Sequence, residues 1–427
     1  MNISPKGYRW LVPCVMPLAA LYLLWRARKQ PDYLKHWGER FAWSDFPAAR
    51  ERHPRIWIHA VSVGETNATR PLVQAILQEW PQCDILLTHM TPTGRDAGAK
   101  IKALAPERIE QCFLPYDAPF AMEKFLRQTK PVLGIVMETE VWPTVLEEAK
   151  RKNIPMLLAN ARLSEKSYNQ TMKAEQLMRD AMGKFTAVCA QSPKDAERLL
   201  SIGTVVPVIT GSLKFDIQAP QVALDKAAQW KKAIGRRIML FASTRDGEEA
   251  LLLEALKSCV DPSVLYLLVP RHPQRFNEIE VLLQSSGLKY QRRSSMTAPE
   301  DIAPDTQVIM GDSMGEMFFY CALADVTLMG GSFQPFGCQN VIEPTSVGVP
   351  VIVGPSTFNF AQVVEEGVRM GAIFQVQDAK VAIDLGHSLL NDEQRWSQAH
   401  KDSLSFSQAF IGATERTMKV VRQLWKK

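Results

Sequence analysis

Short apolar runs alternate with amphipathic stretches along most of the chain, the rhythm of strands separated by helices. Ile56-Trp57-Ile58-His59-Ala60-Val61 reads as a first buried strand, closed by Ser62-Val63-Gly64-Glu65. The spacing of Leu72, Val73, Ile76 and Leu77 predicts a helix behind it. Further strands are predicted at 84–88, 132–137, 155–159, 186–189 and 206–210, with helices over 118–128, 144–151 and 193–200 among them. A second alternation follows, with strands at 237–242, 264–269, 306–310, 326–329 and 350–353. Its helices fall at 248–257, 276–285, 314–322 and from Asn340, and residues 393–427 close the chain with helical sequence. Continuous apolar strands divided by helices belong to parallel sheets covered on both faces. The expectation is therefore α/β, with two Rossmann-like doubly wound domains facing a cleft. The predicted division is an anchor over 1–30, a first domain over 31–215, a linker over 216–235, a second domain over 236–400, and a C-terminal helix over 401–427 packing back on the first domain. Neither domain has G-x-G-x-x-G after its first strand, which disfavours a dinucleotide enzyme.

One stretch breaks the rhythm. Trp10 to Trp25 is apolar, carries tryptophan at both ends, and is followed by Arg26, Arg28, Lys29, Lys35 and Arg40. The run is short for a spanning helix, which needs about 20 residues, and Pro13 and Pro17 weaken it further. No small-residue cleavage site follows, so the expectation is an aromatic-bounded anchor with positive charge on the cytoplasmic side. Composition adds little: 427 residues, 46% hydrophobic and 22% charged, with a net charge of +5 too mild to indicate nucleic acid. Seven scattered cysteines without a C-x-x-C pair suit a reducing compartment and argue against a disulfide scaffold or zinc site.

Candidate chemistry gathers where predicted strands end, the place at which doubly wound folds hold ligands. Glu65, behind Ser62 and Gly64, could act as a general base, although glutamate is favoured in any first helical turn, where the dipole would also lower its pKa. Met137-Glu138-Thr139-Glu140-Val141-Trp142-Pro143 places two carboxylates at another strand end. Arg162 and Lys214 offer fixed positive charge to an anionic substrate. In the second domain Ser243 and Thr244 begin a capped helix that could grip phosphate, and Arg271 could pair with phosphate in a bidentate fork. Gly311-Asp312-Ser313-Met314-Gly315-Glu316 starts another helix. Gly330-Gly331-Ser332 permits close backbone approach, and Asn340-Val341-Ile342-Glu343 opens a helix whose N–H groups could hold phosphate while Glu343 accepts from a ribose diol. There is no D-x-D and no cluster with metal-ligand spacing, so no metal or other cofactor is expected.

Together these segments resemble the lipid A Kdo transferases, membrane-associated glycosyltransferases of the GT-B fold. The matching segments are HAVSVGET, THMTPTGR, FLPYDAP, METEVWP, NARLS, GSLKFD, STRDGEE, PRHPQRF, GDSMGEM, GGS, NVIEP and GPSTFNF, in order from about Trp37 to Phe360. The resemblance implies transfer of 3-deoxy-D-manno-octulosonic acid (Kdo) from CMP-Kdo to the lipid A precursor, lipid IVA, without metal. It makes the first domain the acceptor domain and the second the nucleotide-sugar domain. It implies Glu65 as general base and Glu138 and Lys214 as transition-state stabilisers. It assigns CMP to Pro270 and Arg271, to Met314, Gly315 and Glu316, and to Asn340, Val341, Ile342 and Glu343, leaving Ser62, Gly64, Arg162 and Ser243 as substrate-binding candidates. The implied location is the cytoplasmic face of the bacterial inner membrane, with its lipids as partners and no nucleic acid. Two positions depart from the pattern: Gln339 stands where the family has the histidine of G-G-H-N, and Ser356 where it has that of G-P-H. A GT-B enzyme using a UDP-sugar and a non-catalytic glycolipid-binding protein are the rival readings.

Overall fold

Each half of the chain buries its apolar runs in a seven-stranded, wholly parallel sheet. The computed structural model describes residues 4–425. One unit takes the chain up to Ile217 together with the stretch from Ile411, and the other takes Gln218–Phe410.

In the first unit the strands are β1 (Arg55–His59), β2 (Asp84–His89), β3 (Ile109–Phe113), β4 (Leu133–Met137), β5 (Met156–Ala161), β6 (Ala187–Ala190) and β7 (Val208–Ile209). They lie in the order β3-β2-β1-β4-β5-β6-β7. Every residue of β1, β2, β4 and β5 is buried, as strands covered on both faces require. Alternation sends Trp57, Leu86 and Val136 into one hydrophobic cluster and Ile56, Ile58, Ile85 and Ile135 into the other.

The second unit has β8 (Arg237–Thr244), β9 (Val264–Pro270), β10 (Tyr290–Arg292), β11 (Val308–Met310), β12 (Val326–Met329), β13 (Val351–Val353) and β14 (Ile373–Gln375), ordered β10-β11-β9-β8-β12-β13-β14. Strand order reverses between β1 and β4 in the first sheet and between β8 and β12 in the second. Ligands of open α/β sheets bind outside the carboxyl ends at such reversals.

Strands β3, β10 and β14 were not expected, and each is an edge strand. The stretch expected as a linker with one helix carries Gln221–Ile234, which belongs to the second unit and sets Trp230 edge-on to Phe319 at 5.4 Å. The closing helical sequence divides: Glu393–Phe410 stays with the second unit, whereas Ala413–Leu424 packs in the first, where Trp425 stacks on Trp80 at 4.4 Å.

The N-terminal helix is longer than its apolar run suggested. It covers Pro5–Ala27, 23 residues with both Pro13 and Pro17 inside, and is long and apolar enough to cross a membrane. One face docks on the first unit. Tyr8 donates to Asp117 at 3.1 Å, Arg9 pairs with Glu148 at 2.8 Å, and Met16, Ala20 and Leu23 pack with Tyr33 and Phe41. Trp10, Leu18, Leu21 and Trp25 are exposed. Arg40, expected in the basic flank, is instead 1% exposed, with its guanidinium 3.7 Å from the Phe113 ring centroid.

Candidate active site

The first unit assembles its site around the β1/β4 reversal. After β1 the chain turns at Ser62, the N-cap of the helix Val63–Glu79, and Glu65 sits in that helix's first turn. The Val61 N–H donates to Glu65 Oε2 at 2.9 Å and the Ser62 hydroxyl donates to Oε1 at 2.7 Å. Glu65 is 8% exposed. Burial pushes its pKa above the ordinary glutamate value; the bonds from Ser62 and Val61 oppose that shift and the charge of Glu138 adds to it. The helix dipole was expected to lower this pKa, but desolvation outweighs it.

Glu138 follows β4 in a left-handed conformation, φ 57°, which a non-glycine residue adopts at a cost of order 1–3 kcal/mol. The Lys214 ammonium lies 3.1 Å from its carboxylate. Lys214 is held from two sides. Asn160, also left-handed and fully buried at the end of β5, accepts from the Leu213 N–H at 3.0 Å, and Asp216 accepts from the Gly412 N–H at 2.7 Å. Glu140 completes the group, its pKa pushed up to about 7, first by burial and then by the charge of Glu65, with Trp142 partly opposing. Asp117 accepts from the N–H groups of Thr144 and Val145 at 2.8 and 2.9 Å, tying the helix that follows this loop to Tyr8 of the N-terminal helix.

Three carboxylates and one ammonium therefore converge at one sheet edge: two carboxyl groups whose pKa values are raised, and a charged pair. A buried carboxylate with a raised pKa is a stronger base than an ordinary one, which suits proton abstraction from a hydroxyl. Sequence reasoning marked both Glu138 and Glu140 as carboxylates at a strand end but gave a role to Glu138 alone, and it missed Asn160, although that residue stands in a segment it singled out. Gly64 is exposed with open space above its Cα, and Arg162 is partly buried immediately after β5.

In the second unit the corresponding reversal is held by a buried carboxylate. Glu248 accepts from the N–H of Arg245 at 2.8 Å, of Gly331 at 2.6 Å and of Phe333 at 2.9 Å, joining the loops after β8 and β12. Close approach here demands glycine: a Cβ on Gly330 would lie 2.5 Å from the Ser243 carbonyl oxygen. Ser243 is itself left-handed, φ 55°, at an irregularity in the β8–β9 register.

Beside it Pro270 ends β9, and the Arg271 N–H donates to the Thr244 carbonyl at 3.0 Å. Glu343 is partly buried; desolvation raises its pKa, against the opposing effects of Asn340 and the Arg271 charge. Arg271, Asn340 and Glu343 are thus brought together. The helix expected to open at Asn340 spans Ile342–Ser346, five residues capped by Val341, with Asn340 Oδ1 accepting from the Ile342 N–H at 3.1 Å. So short a helix has little dipole to offer an anion.

The Met314-Gly315-Glu316 corner contributes differently. Met314 is exposed and Gly315 has φ 87°, but the Glu316 carboxylate is committed to Lys226 at 2.8 Å and Arg293 at 3.0 Å, which fixes the turn. The two departures from the family pattern stand on loops that brace each other. Ser356 Oγ accepts from the Gly337 N–H at 3.0 Å, and the Gln339 N–H donates to the Gly330 carbonyl at 2.9 Å.

Two doubly wound parallel-sheet units, each with polar loops gathered at its strand-order reversal, define the GT-B class of glycosyltransferases. A glycosyltransferase of Rickettsia africae shares this fold with TM-score 0.57, covering 88% of this chain and 100% of that one at 14% identity. A model of the family described as 3-deoxy-D-manno-octulosonic-acid transferase (kdotransferase) matches residues 35–217. The chain is 40% identical to a 3-deoxy-D-manno-octulosonic acid transferase of Bordetella pertussis, covering 94% of this chain and 95% of that one. It is 33% identical to the Haemophilus influenzae transferase of the same name, covering 91% of both. The chain belongs to the 3-deoxy-D-manno-octulosonic acid transferase family.

Proposed function

We propose that this protein transfers Kdo from CMP-Kdo to the lipid A precursor, lipid IVA, in lipopolysaccharide biosynthesis, with inversion and without a metal ion. The observation that carries this reading is the grouping of Glu65, Glu138 and Lys214 at one strand-order reversal in a chain of this family. Glu65 deprotonates a sugar hydroxyl of the acceptor, which attacks the anomeric carbon of the donor; the bond to the phosphate breaks and CMP leaves. Lys214 offsets negative charge at the reacting centre, and the Glu138 pair holds its ammonium in place. In the second unit Arg271 serves the phosphate and Glu343 the ribose hydroxyls, with Asn340 setting the turn between them. Inversion follows from direct displacement by the acceptor oxygen. Metal independence is supported by the lack of a D-x-D motif and of any ligand-like group of three His, Cys, Asp or Glu among the described residues.

The N-terminal helix anchors the enzyme at the cytoplasmic face of the inner membrane. Its exposed Trp10, Leu18, Leu21 and Trp25 meet lipid, while Arg26, Arg28, Lys29 and Lys35 meet anionic headgroups. The deciding experiment incubates detergent-solubilised protein with CMP-Kdo and lipid IVA and reads products by mass spectrometry. Gains in whole Kdo units establish the reaction and count the transfers. No gain from folded protein, or thermal protection by UDP rather than CMP, would refute the donor assignment.

A further inference from the structure

Arg245 and Arg271 both stand at the carboxyl edge of the second sheet, and neither has an acid within ion-pairing distance among the described residues. The neighbouring acids are already engaged: Asp246, Glu249 and Glu278 all pair with Arg275. Arg271 faces Glu343 and the turn at Asn340. Arg245 is placed separately and firmly. Its backbone N–H is bound by Glu248, the same carboxylate that holds Gly331 and Phe333, so its turn moves with the loop after β12. Its guanidinium lies over the Phe336 ring, 4.5 Å from the centroid. Phe336 is itself fixed, since Asn359 donates to its carbonyl at 2.8 Å and the Gly337 N–H is bound by Ser356. Both guanidinium charges reach His272, whose pKa falls, first through burial and then through Arg245 and Arg271.

A sugar acid esterified to a nucleoside monophosphate carries two separate negative charges. One is on the phosphodiester and the other is a carboxylate attached to the anomeric carbon itself. A stacked, half-desolvated guanidinium with open donors suits a planar carboxylate better than an ammonium would. We propose that Arg245 binds the anomeric carboxylate of the donor sugar, leaving Arg271 for the phosphate, so that Arg245 is the residue that tells a sugar-acid donor from a neutral one. This assignment rests on the donor reading above. It also gives the Phe336 loop a role: the ring holds the planar fork in the orientation the carboxylate meets.

The test compares wild type, R245Q and R245K as full chains in detergent, measuring thermal protection by CMP and by CMP-Kdo alongside KM for CMP-Kdo. R245Q is expected to keep CMP protection while KM for CMP-Kdo rises about 10- to 100-fold, the range for one lost charge-assisted contact. R245K should fall between the two, because it keeps the charge and loses the fork. Equal weakening toward CMP and CMP-Kdo would assign Arg245 to the phosphate and overturn the proposal; an unchanged KM would make Arg245 a bystander and overturn it as well. If R245Q unfolds, R245K carries the comparison, and a wild-type-like KM there overturns the proposal, which rests on the planar fork. Should wild type itself make no product from CMP-Kdo, the donor reading has failed, an outcome distinct from a silent R245Q beside an active wild type.

Discussion

Replacing Glu65 separates its chemistry from its structural work, because glutamine and alanine remove different things. Both carboxylate oxygens are engaged, by the Val61 N–H and by the Ser62 hydroxyl. In Glu65→Gln the amide oxygen still accepts from Val61, and the amide NH2 donates to a Ser62 hydroxyl that rotates to receive it. Only the charge and the basicity are lost. Glu65→Ala strips both acceptors and leaves the Val61 N–H unpaired, costing about 1–3 kcal/mol. For a unit of this size each kcal/mol lowers the melting midpoint by about 2–4 °C. The sign of the glutamine effect follows from linkage. The folded-state pKa of Glu65 is raised, so the group favours folding when protonated, and that contribution is lost as pH rises through the folded pKa. Glu65→Gln escapes the loss, so its midpoint should gain on wild type as pH rises from below 4.5, the ordinary glutamate value, to neutrality. Turnover should fall about 10²- to 10⁴-fold in both variants, the usual worth of a general base. Thermal scans at the two ends of that pH range and product formation by mass spectrometry read the two effects independently. A folded Glu65→Gln protein turning over within about 3-fold of wild type would refute the base, outside the range for such groups. A midpoint difference that does not change with pH would refute the raised pKa.

Three further outcomes follow from the same geometry. Glu140 titrates near 7, above the ordinary glutamate range, so Glu140→Gln should remove an inflection near pH 7 from the rate profile; its midpoint should gain on wild type as pH rises from 5 to 8, and an unaltered profile would place Glu140 outside the reaction. Gly330→Ala drives a Cβ to 2.5 Å from the Ser243 carbonyl oxygen and 2.6 Å from the Thr244 Cα, backbone on both sides, and should cost about 1–3 kcal/mol and weaken CMP protection, whereas a wild-type midpoint would show that the two loops part easily. Leu18→Glu with Leu21→Glu alters only side chains that are 62% and 61% exposed, so the midpoint should hold while co-sedimentation with anionic vesicles drops at least about tenfold; retained binding would move the membrane contact away from this helix.

The sequence by itself determined the parallel α/β character of both halves, because β1, β2, β4 and β5 in the first unit and β9, β12 and β13 in the second are buried throughout and must read as unbroken apolar runs. It also marked candidate residues: Glu65, Glu138 and Lys214 in the first unit and Arg271 in the second follow predicted strands, and a parallel fold brings strand ends to one edge of each sheet. The strands it hid are β3, β10 and β14. Each pairs on one side only, and Glu110 and Gln111 in β3, Gln291 and Arg292 in β10 and Gln375 in β14 are residues that a covered strand would exclude. Helix length at Asn340 was likewise out of reach, since a cap residue announces a start and tertiary packing decides the end.

What only the tertiary structure decided is the charge state and company of each group. The first helical turn favours an ionised Glu65, yet burial outweighs the dipole and raises its pKa, with the charge of Glu138 adding to the shift. Glu316 reads as a ligand in its motif and is found held by Lys226 and Arg293, from segments about 90 and 20 residues away in sequence. Asn160 looks like a strand-end residue until its amide is seen positioning the turn that carries Lys214. Strand patterns report whether a side chain is covered. Which charges lie within a few ångströms of it depends on segments far apart in the chain, and only the folded structure brings those together.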